Sequence, residues 1–309
     1  MQDPQQWASD PAQDDFVLAF QIGGSAIRGR IVRLGSCIDD ILRRKTHPTP
    51  VMRLAGEAAA LTALLGAAQK HSGKLILQIR SNGPVRLLVA EMDARGGLRV
   101  CASCAEGAPA GSEPLIGDGH LAMTLDQGPN TDRYQGVVAT KTGDLASNAQ
   151  AYFDQSEQIP AHLKLAAGEC LRPGGRRSWR AGGLLLQWPS REESQNKGVD
   201  TDREAEQDAW RRALMLADTL GADELIDPTL PAGRLLYRLF HEDGVRIFEP
   251  KPLHFECSCA RETVVAVLAQ YPAEELDDMA RDGVIEADCE FCGEKYEISV
   301  DETRRLGTS

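Results

Sequence analysis

The chain of 309 residues carries a formal net charge of −12, with 42% hydrophobic and 26% charged residues. Its length implies two units, or one large domain with an appendage, and enough apolar sequence to bury a core. The acidic balance opposes nucleic acid and anionic lipid as partners, no apolar run reaches the length of a membrane span, and the start Met1-Gln2-Asp3-Pro4 lacks the regions of a signal peptide, so a cytoplasmic protein is expected.

Residues 1–14 are polar and acidic with two prolines and read as a flexible tail. Asp15 to Ile22 and Ser25 to Leu34 read as strands of a tight hairpin, with Gly23-Gly24 supplying positive φ angles. From Val51 to His71, Leu54, Ala58, Leu61, Leu65 and Ala68 recur at helical spacing, which predicts a long buried helix. Lys74 to Arg80, Val85 to Glu91 and Leu98 to Cys101 form an antiparallel meander, and His120 to Leu125 and Tyr134 to Ala139 are two further strands. Leu145 to Ser156 reads as a helix and Ala181 to Gln187 as a short apolar strand. Strands and helices in this order favour α+β: a mixed α/β-sheet domain over 15–188, a linker and helical middle segment over 189–247, and a small C-terminal domain over 248–303, with a tail at 304–309.

Pro189 to Thr201 turns polar and charged, as a linker does. Glu204 to Leu220 places Trp210, Ala213, Leu214, Ala217 and Leu220 on one helical face, and Ala232 to His241 repeats the pattern with Leu235, Leu236, Leu239 and Phe240. Helices this short need a packing partner, and the first domain is the expected one. Val245 to Phe248 reads as a strand. Beyond Pro250 and Pro252, Arg261 to Tyr271 and Ala273 to Arg281 read as short helices, and Val284 to Asp288 with Lys295 to Val300 as a hairpin. A module of that size buries too little apolar surface to stand without a staple.

Four of the eight cysteines supply one. Cys257-Ser258-Cys259 and Cys289-Glu290-Phe291-Cys292 form a C-x-C and a C-x-x-C pair, and four sulfurs close a tetrahedral shell around one Zn²⁺ with no open position. Gly293 permits the turn of a zinc knuckle, and metal binding would double as folding energy. Buried thiols and a structural disulfide pair are the competing readings; His254, a possible alternative ligand, reads as an ordinary polar residue. Cys101-Ala102-Ser103-Cys104 is a second C-x-x-C that could be a redox pair, while Cys37 and Cys170 are scattered and read as packing residues.

Several stretches together resemble the redox-regulated 33 kDa chaperonin (heat shock protein 33) family: Arg28-Gly29-Arg30, Gly83-Pro84-Val85-Arg86, Gly117-Asp118-Gly119, Asp126-Gln127-Gly128-Pro129, Tyr134-Gln135-Gly136, Tyr152-Phe153 with Ser156-Glu157-Gln158, Ala181 to Gln187, Leu239-Phe240-His241-Glu242, and Cys-x-Cys with Cys-x-x-Cys-Gly. The resemblance implies a holdase rather than an enzyme, inactive with zinc bound. It further implies that oxidants convert Cys257 with Cys259 and Cys289 with Cys292 to disulfides, that zinc leaves, and that the module unfolds. The helical segment then loses support, and Trp210, Leu214, Leu235, Leu236, Leu239 and Phe240 become available to unfolding client proteins. A homodimer in the oxidised state follows from the same resemblance. The alternatives are a zinc-ribbon interaction module without chaperone activity and a thiol oxidoreductase using Cys101 and Cys104.

Overall fold

The structure, a computed structural model, describes residues 14–68, 73–105, 114–127, 133–141, 143–171, 175–188 and 203–307. The expected linker from Pro189 to Thr201 and the tail residues before Asp14 fall outside these. The chain divides into two units, Met1–Phe255 and Glu256–Ser309.

In chain order the first unit runs β1 (Phe16–Ile22), β2 (Arg28–Leu34), α1 (Ser36–Leu42), α2 (Thr49–Gly66), β3 (Lys74–Ser81), β4 (Val85–Asp93), β5 (Gly97–Cys104), β6 (Gly119–Asp126), β7 (Tyr134–Thr140) and α3 (Leu145–Tyr152). It continues with β8 (Ala161–Leu171), β9 (Arg177–Gln187), α4 (Arg203–Asp218), α5 (Ala222–Ile226), α6 (Ala232–Phe240), β10 (Val245–Ile247), β11 (Lys251–Pro252) and β12 (His254–Phe255). One sheet has the order β10-β1-β2-β9-β8, with β11 also on β1, and is antiparallel throughout. The other is β12-β5-β4-β3-β6-β7, antiparallel apart from the parallel step between β12 and β5. The α+β class is that expected from the sequence.

Residue alternation fixes the layers. Along β1, Val17 faces one core and Leu18, Phe20 and Ile22 the other, and β9 divides Ala181 and Leu185 from Leu184 and Leu186 in the same way. The first sheet is therefore buried on both faces. On one side α2 packs against strands of both sheets and is apolar all round, with Val51, Ala55, Ala58, Ala59, Leu61 and Leu64 buried. On the other side Ala213 and Ala217 of α4, Leu225 of α5, and Leu235, Leu236, Leu239 and Phe240 of α6 close over the sheet, with the Phe20 and Phe240 rings stacked at 5.9 Å. The amphipathic middle segment thus has the partner its periodicity demands.

Besides the two-residue strands β11 and β12, three elements of this unit were not expected from the sequence. Strand β8 lies where no element was expected: its Ala-Ala-Gly-Glu stretch has low strand propensity, and the pairing with β9 makes it a strand. Helices α1 and α5, seven and five residues long, are too short for a periodic signal. In the β1–β2 turn only Gly24 has positive φ, at 70°. At Gly23 a Cβ would lie 2.6 Å from the Asp243 carbonyl oxygen, so that glycine serves close approach of the chain after α6.

Asp14, read as the last tail residue, pairs with the buried Arg180 of β9. No helix among the described residues is long and apolar enough to cross a membrane.

The second unit contains α7 (Arg261–Leu268), α8 (Ala273–Met279), the hairpin β13 (Val284–Asp288) and β14 (Lys295–Ser299), and α9 (Val300–Gly307). Its core is small: Val265, Leu268, Leu276, Ile285, Ile298 and Val300. Helix α9 was not anticipated. It is held through Arg304 on Asp277 and Glu302 on Arg261, contacts between charges far apart in sequence.

Candidate metal centre

Two short segments bring the four cysteines together. Cys257 and Cys259 lie in the irregular stretch before α7, and both sulfurs reach the cluster. Cys289 and Cys292 lie at the tip between β13 and β14, where Gly293 N–H donates to the Cys289 carbonyl at 2.8 Å and Cys289 N–H to the Glu294 carbonyl at 2.8 Å. Gly293 takes φ 73°, which a β-carbon would resist, so this knuckle needs its glycine.

The four Sγ atoms all lie within 4.8 Å of one another, with Cys257 to Cys289 at 3.7 Å and Cys259 to Cys292 at 3.3 Å. Four sulfurs around one ion at about 2.3 Å would be separated by about 3.8 Å, so the cluster has the dimensions of a tetrahedral thiolate shell and can hold a metal ion. Without an ion, close and partly buried sulfurs favour the protonated, neutral form. Burial, with the neighbouring sulfurs, pushes the Cys292 thiol up to about 12, against a hydrogen bond at Glu294 that pulls it down. A divalent ion reverses that balance by favouring the ionised form. Because the four sulfurs are mutually close, distance alone does not select which pairs would couple on oxidation.

Tyr296 of β14 also belongs to the site, and the sequence reading missed it. Its hydroxyl lies 3.2 Å from Cys259 Sγ. Its place four residues after Cys292 in a knuckle strand was the only available signal.

Other cysteines behave differently. Cys101 and Cys104 occupy one extended strand, β5, where three residues advance the chain about 10 Å and reverse the side-chain direction. A disulfide needs Cα atoms within about 7 Å, and Cys104 packs against the core on the same face as Ala102. The redox-pair reading of Cys101 and Cys104 is therefore incorrect; the spacing is a coincidence of strand sequence. Burial raises the Cys37 thiol well above its usual range, in keeping with a packing role.

The residues expected to meet client proteins lie in the first unit. Leu235, Leu236, Leu239 and Phe240 form the buried face of α6, Trp210 is partly buried and stacks on Trp188 at 6.2 Å, and Leu214 is partly exposed. In this state Leu235, Leu236, Leu239 and Phe240 belong to a core, and Trp210 packs against it.

A model of the Hsp33 protein family matches residues 15–299. The chain belongs to the Hsp33 family. Among curated Hsp33 relatives, the 33 kDa chaperonin of Caulobacter vibrioides is 44% identical over 295 residues, covering 92% of this chain and 95% of the relative. That of Pseudomonas syringae is 37% identical over 298 residues, covering 94% and 93%. The crystal structure of the Hsp33 homologue from Thermotoga maritima shares the fold, with a TM-score of 0.74 at 22% identity over 95% of this chain and 98% of that one. Membership makes this chain a chaperone that binds unfolded proteins, a class not defined by catalysis.

Proposed function

We propose that this chain is a redox-regulated holdase in which Cys257, Cys259, Cys289 and Cys292 ligate one Zn²⁺ in the reduced state and form two disulfides on oxidation. The observation that carries the reading is the set of four sulfurs within 4.8 Å in a unit with so small a core. A soft, closed sulfur shell suits zinc over harder ions. Bound zinc would keep the four sulfurs ionised and tie the start of the unit to its hairpin tip.

Each ionised sulfur is a nucleophile toward peroxide or hypochlorite, and a second thiol stands within reach to resolve the sulfenic acid. Coupling Cys257 with Cys259 and Cys289 with Cys292 closes bonds within each segment and none between them. The tie across the unit is then lost, and six buried apolar side chains give little reason for it to stay folded.

The chain itself offers a route from that loss to the first unit. Phe255 of β12 stands two residues before Cys257, and β10, β11 and β12 are two or three residues long, stitching the segment after α6 to both sheets. Strands that short hold weakly once the chain beyond them is unfolded. Release of α4, α5 and α6 would uncover Leu18, Phe20, Ile22, Leu184 and Leu186 on the sheet together with Leu235, Leu236, Leu239 and Phe240, a surface suited to unfolding clients. The oxidised protein would act in the cytoplasm as a homodimer, and its charge of −12 disfavours nucleic acid and anionic membranes.

Light scattering of a thermally unfolding client tests the reading. Reduced, zinc-loaded protein should leave aggregation unchanged, and protein treated with hydrogen peroxide under mild heat should suppress it. Equal suppression by both forms contradicts the proposal.

A further inference from the structure

We infer that the Tyr296 hydroxyl slows oxidation of Cys259, making Tyr296 a positioning residue that helps set how readily the centre responds. The inference rests on the redox reading above for its biological meaning. Tyr296 sits opposite Ala287 in the β13–β14 hairpin, its ring packs partly against the core of the second unit, and its hydroxyl lies 3.2 Å from Cys259 Sγ. The two residues are 37 positions apart, so the contact exists only once the hairpin and the C-x-C segment have come together.

Once Cys259 is held as a thiolate it has no proton to give, and the phenol is the donor. A hydrogen bond to an ionised acceptor is among the stronger ones a side chain makes. It draws on the same sulfur lone pairs that attack an oxidant. In that attack the Cys259 sulfur forms an S–O bond with one oxygen of hydrogen peroxide, the O–O bond breaks, and hydroxide leaves. A second cysteine thiolate then displaces hydroxide from the sulfenic acid as the S–S bond forms. The two hydroxides take up protons to give two waters, so the two thiols are oxidised by two electrons and one peroxide is reduced. The first step drains charge from the sulfur, and the Tyr296 bond, strongest before that drain, raises the barrier. The hydroxyl is hydrogen-bonded to Cys259 Sγ, so the effect is greatest at Cys259. Removing a partner just outside a metal shell commonly changes metal affinity or activity by about tenfold or more, and a change in sulfur reactivity of similar size is expected here.

Tyr296→Phe keeps the ring and removes the donor. Zinc-loaded, reduced full-length protein is exposed to a limiting amount of N-ethylmaleimide, and in a parallel series to limiting hydrogen peroxide. Modification at Cys257, Cys259, Cys289 and Cys292 is then read by peptide mass spectrometry. The expected result is about a tenfold rise in the ratio of Cys259 to Cys257 modification, with zinc content unchanged. A ratio equal to that of the natural chain overturns the inference, whether all four rates rise together, as in a loosened unit, or none does. If peroxide produces no disulfides in the natural chain, the redox reading falls, while the maleimide ratio still decides the role of Tyr296.

Discussion

Arg180, whose side chain is only 2% exposed on β9, grips Asp14 through two hydrogen bonds of 2.5 Å. Its Nε donates to the Ile226 carbonyl at 2.6 Å, and Arg33 beside it donates to the Glu224 and Asp227 carbonyls. Two guanidinium groups thus satisfy the carbonyl end of α5 and fasten the helical layer to the sheet.

The pair is expected to govern docking of that layer. Asp14→Ala leaves Arg180 buried with its charge uncompensated and should destabilise the first unit by about 3–5 kcal/mol, whereas adding Arg180→Met should recover much of the loss. Urea unfolding of the three variants in a double-mutant cycle checks this. Additive losses would show that Asp14 and Arg180 do not act as a pair.

A second polar tie joins α4 to the β1–β2 turn. The Ala26 N–H donates to the Glu206 carboxylate at 3.0 and 3.3 Å, and Glu206 is buried. Glu206→Ala strands that amide, at a cost of about 1–3 kcal/mol. Hydrogen exchange should accelerate at Ala26 and along α4 while α2 keeps its protection.

Removing the ring that stacks on Phe20 attacks the same interface from its apolar side. Phe240→Ala should cost about 3–5 kcal/mol. The reduced variant should also show higher affinity for a hydrophobic dye such as ANS than the natural chain, because α6 undocks more often. Unchanged dye binding with lowered stability would place the effect in global unfolding.

A pH dependence arises at Glu57 on α2. Burial raises its carboxyl from 4.5 to about 7, Asp144 adds to the rise, and Arg53 opposes it. Between those values the folded chain holds a proton that the unfolded chain has lost, so this residue's contribution to stability falls as pH rises from about 4.5 to about 7. Glu57→Gln should match the natural chain near pH 4 and exceed it by up to about 3 kcal/mol at pH 8, as read from urea unfolding across that range.

How far the sequence reveals this molecule depends on whether a signal is local. Strands β3, β4, β5 and β7 of the second sheet alternate buried and more exposed residues along much of their length, and the sequence boundaries of these four and of β6 agree with the structure to within three residues. The C-x-C and C-x-x-C pairs were equally plain, since each places two ligands within a few residues. Strand β8 was hidden because His162, Lys164, Ala167 and Gly168 owe their extended form to β9 alongside. The arrangement of α2 between two sheets, the Asp14 grip on Arg180 and the approach of Tyr296 to Cys259 are long-range contacts with no local pattern. Cys101 and Cys104 misled for the converse reason: their spacing is local, but the strand separates what the spacing seemed to join.

Control of chaperone activity by the four-cysteine centre is tested by following zinc, thiols and activity on one sample. Reduced protein is titrated with hydrogen peroxide, released zinc is read with a chromogenic chelator, free thiols are counted, and suppression of client aggregation is measured at each point. One zinc is expected to leave per chain and four thiols to be lost from the Cys257, Cys259, Cys289 and Cys292 set, with activity appearing as they go. Full activity while zinc and all four thiols remain in place would contradict it.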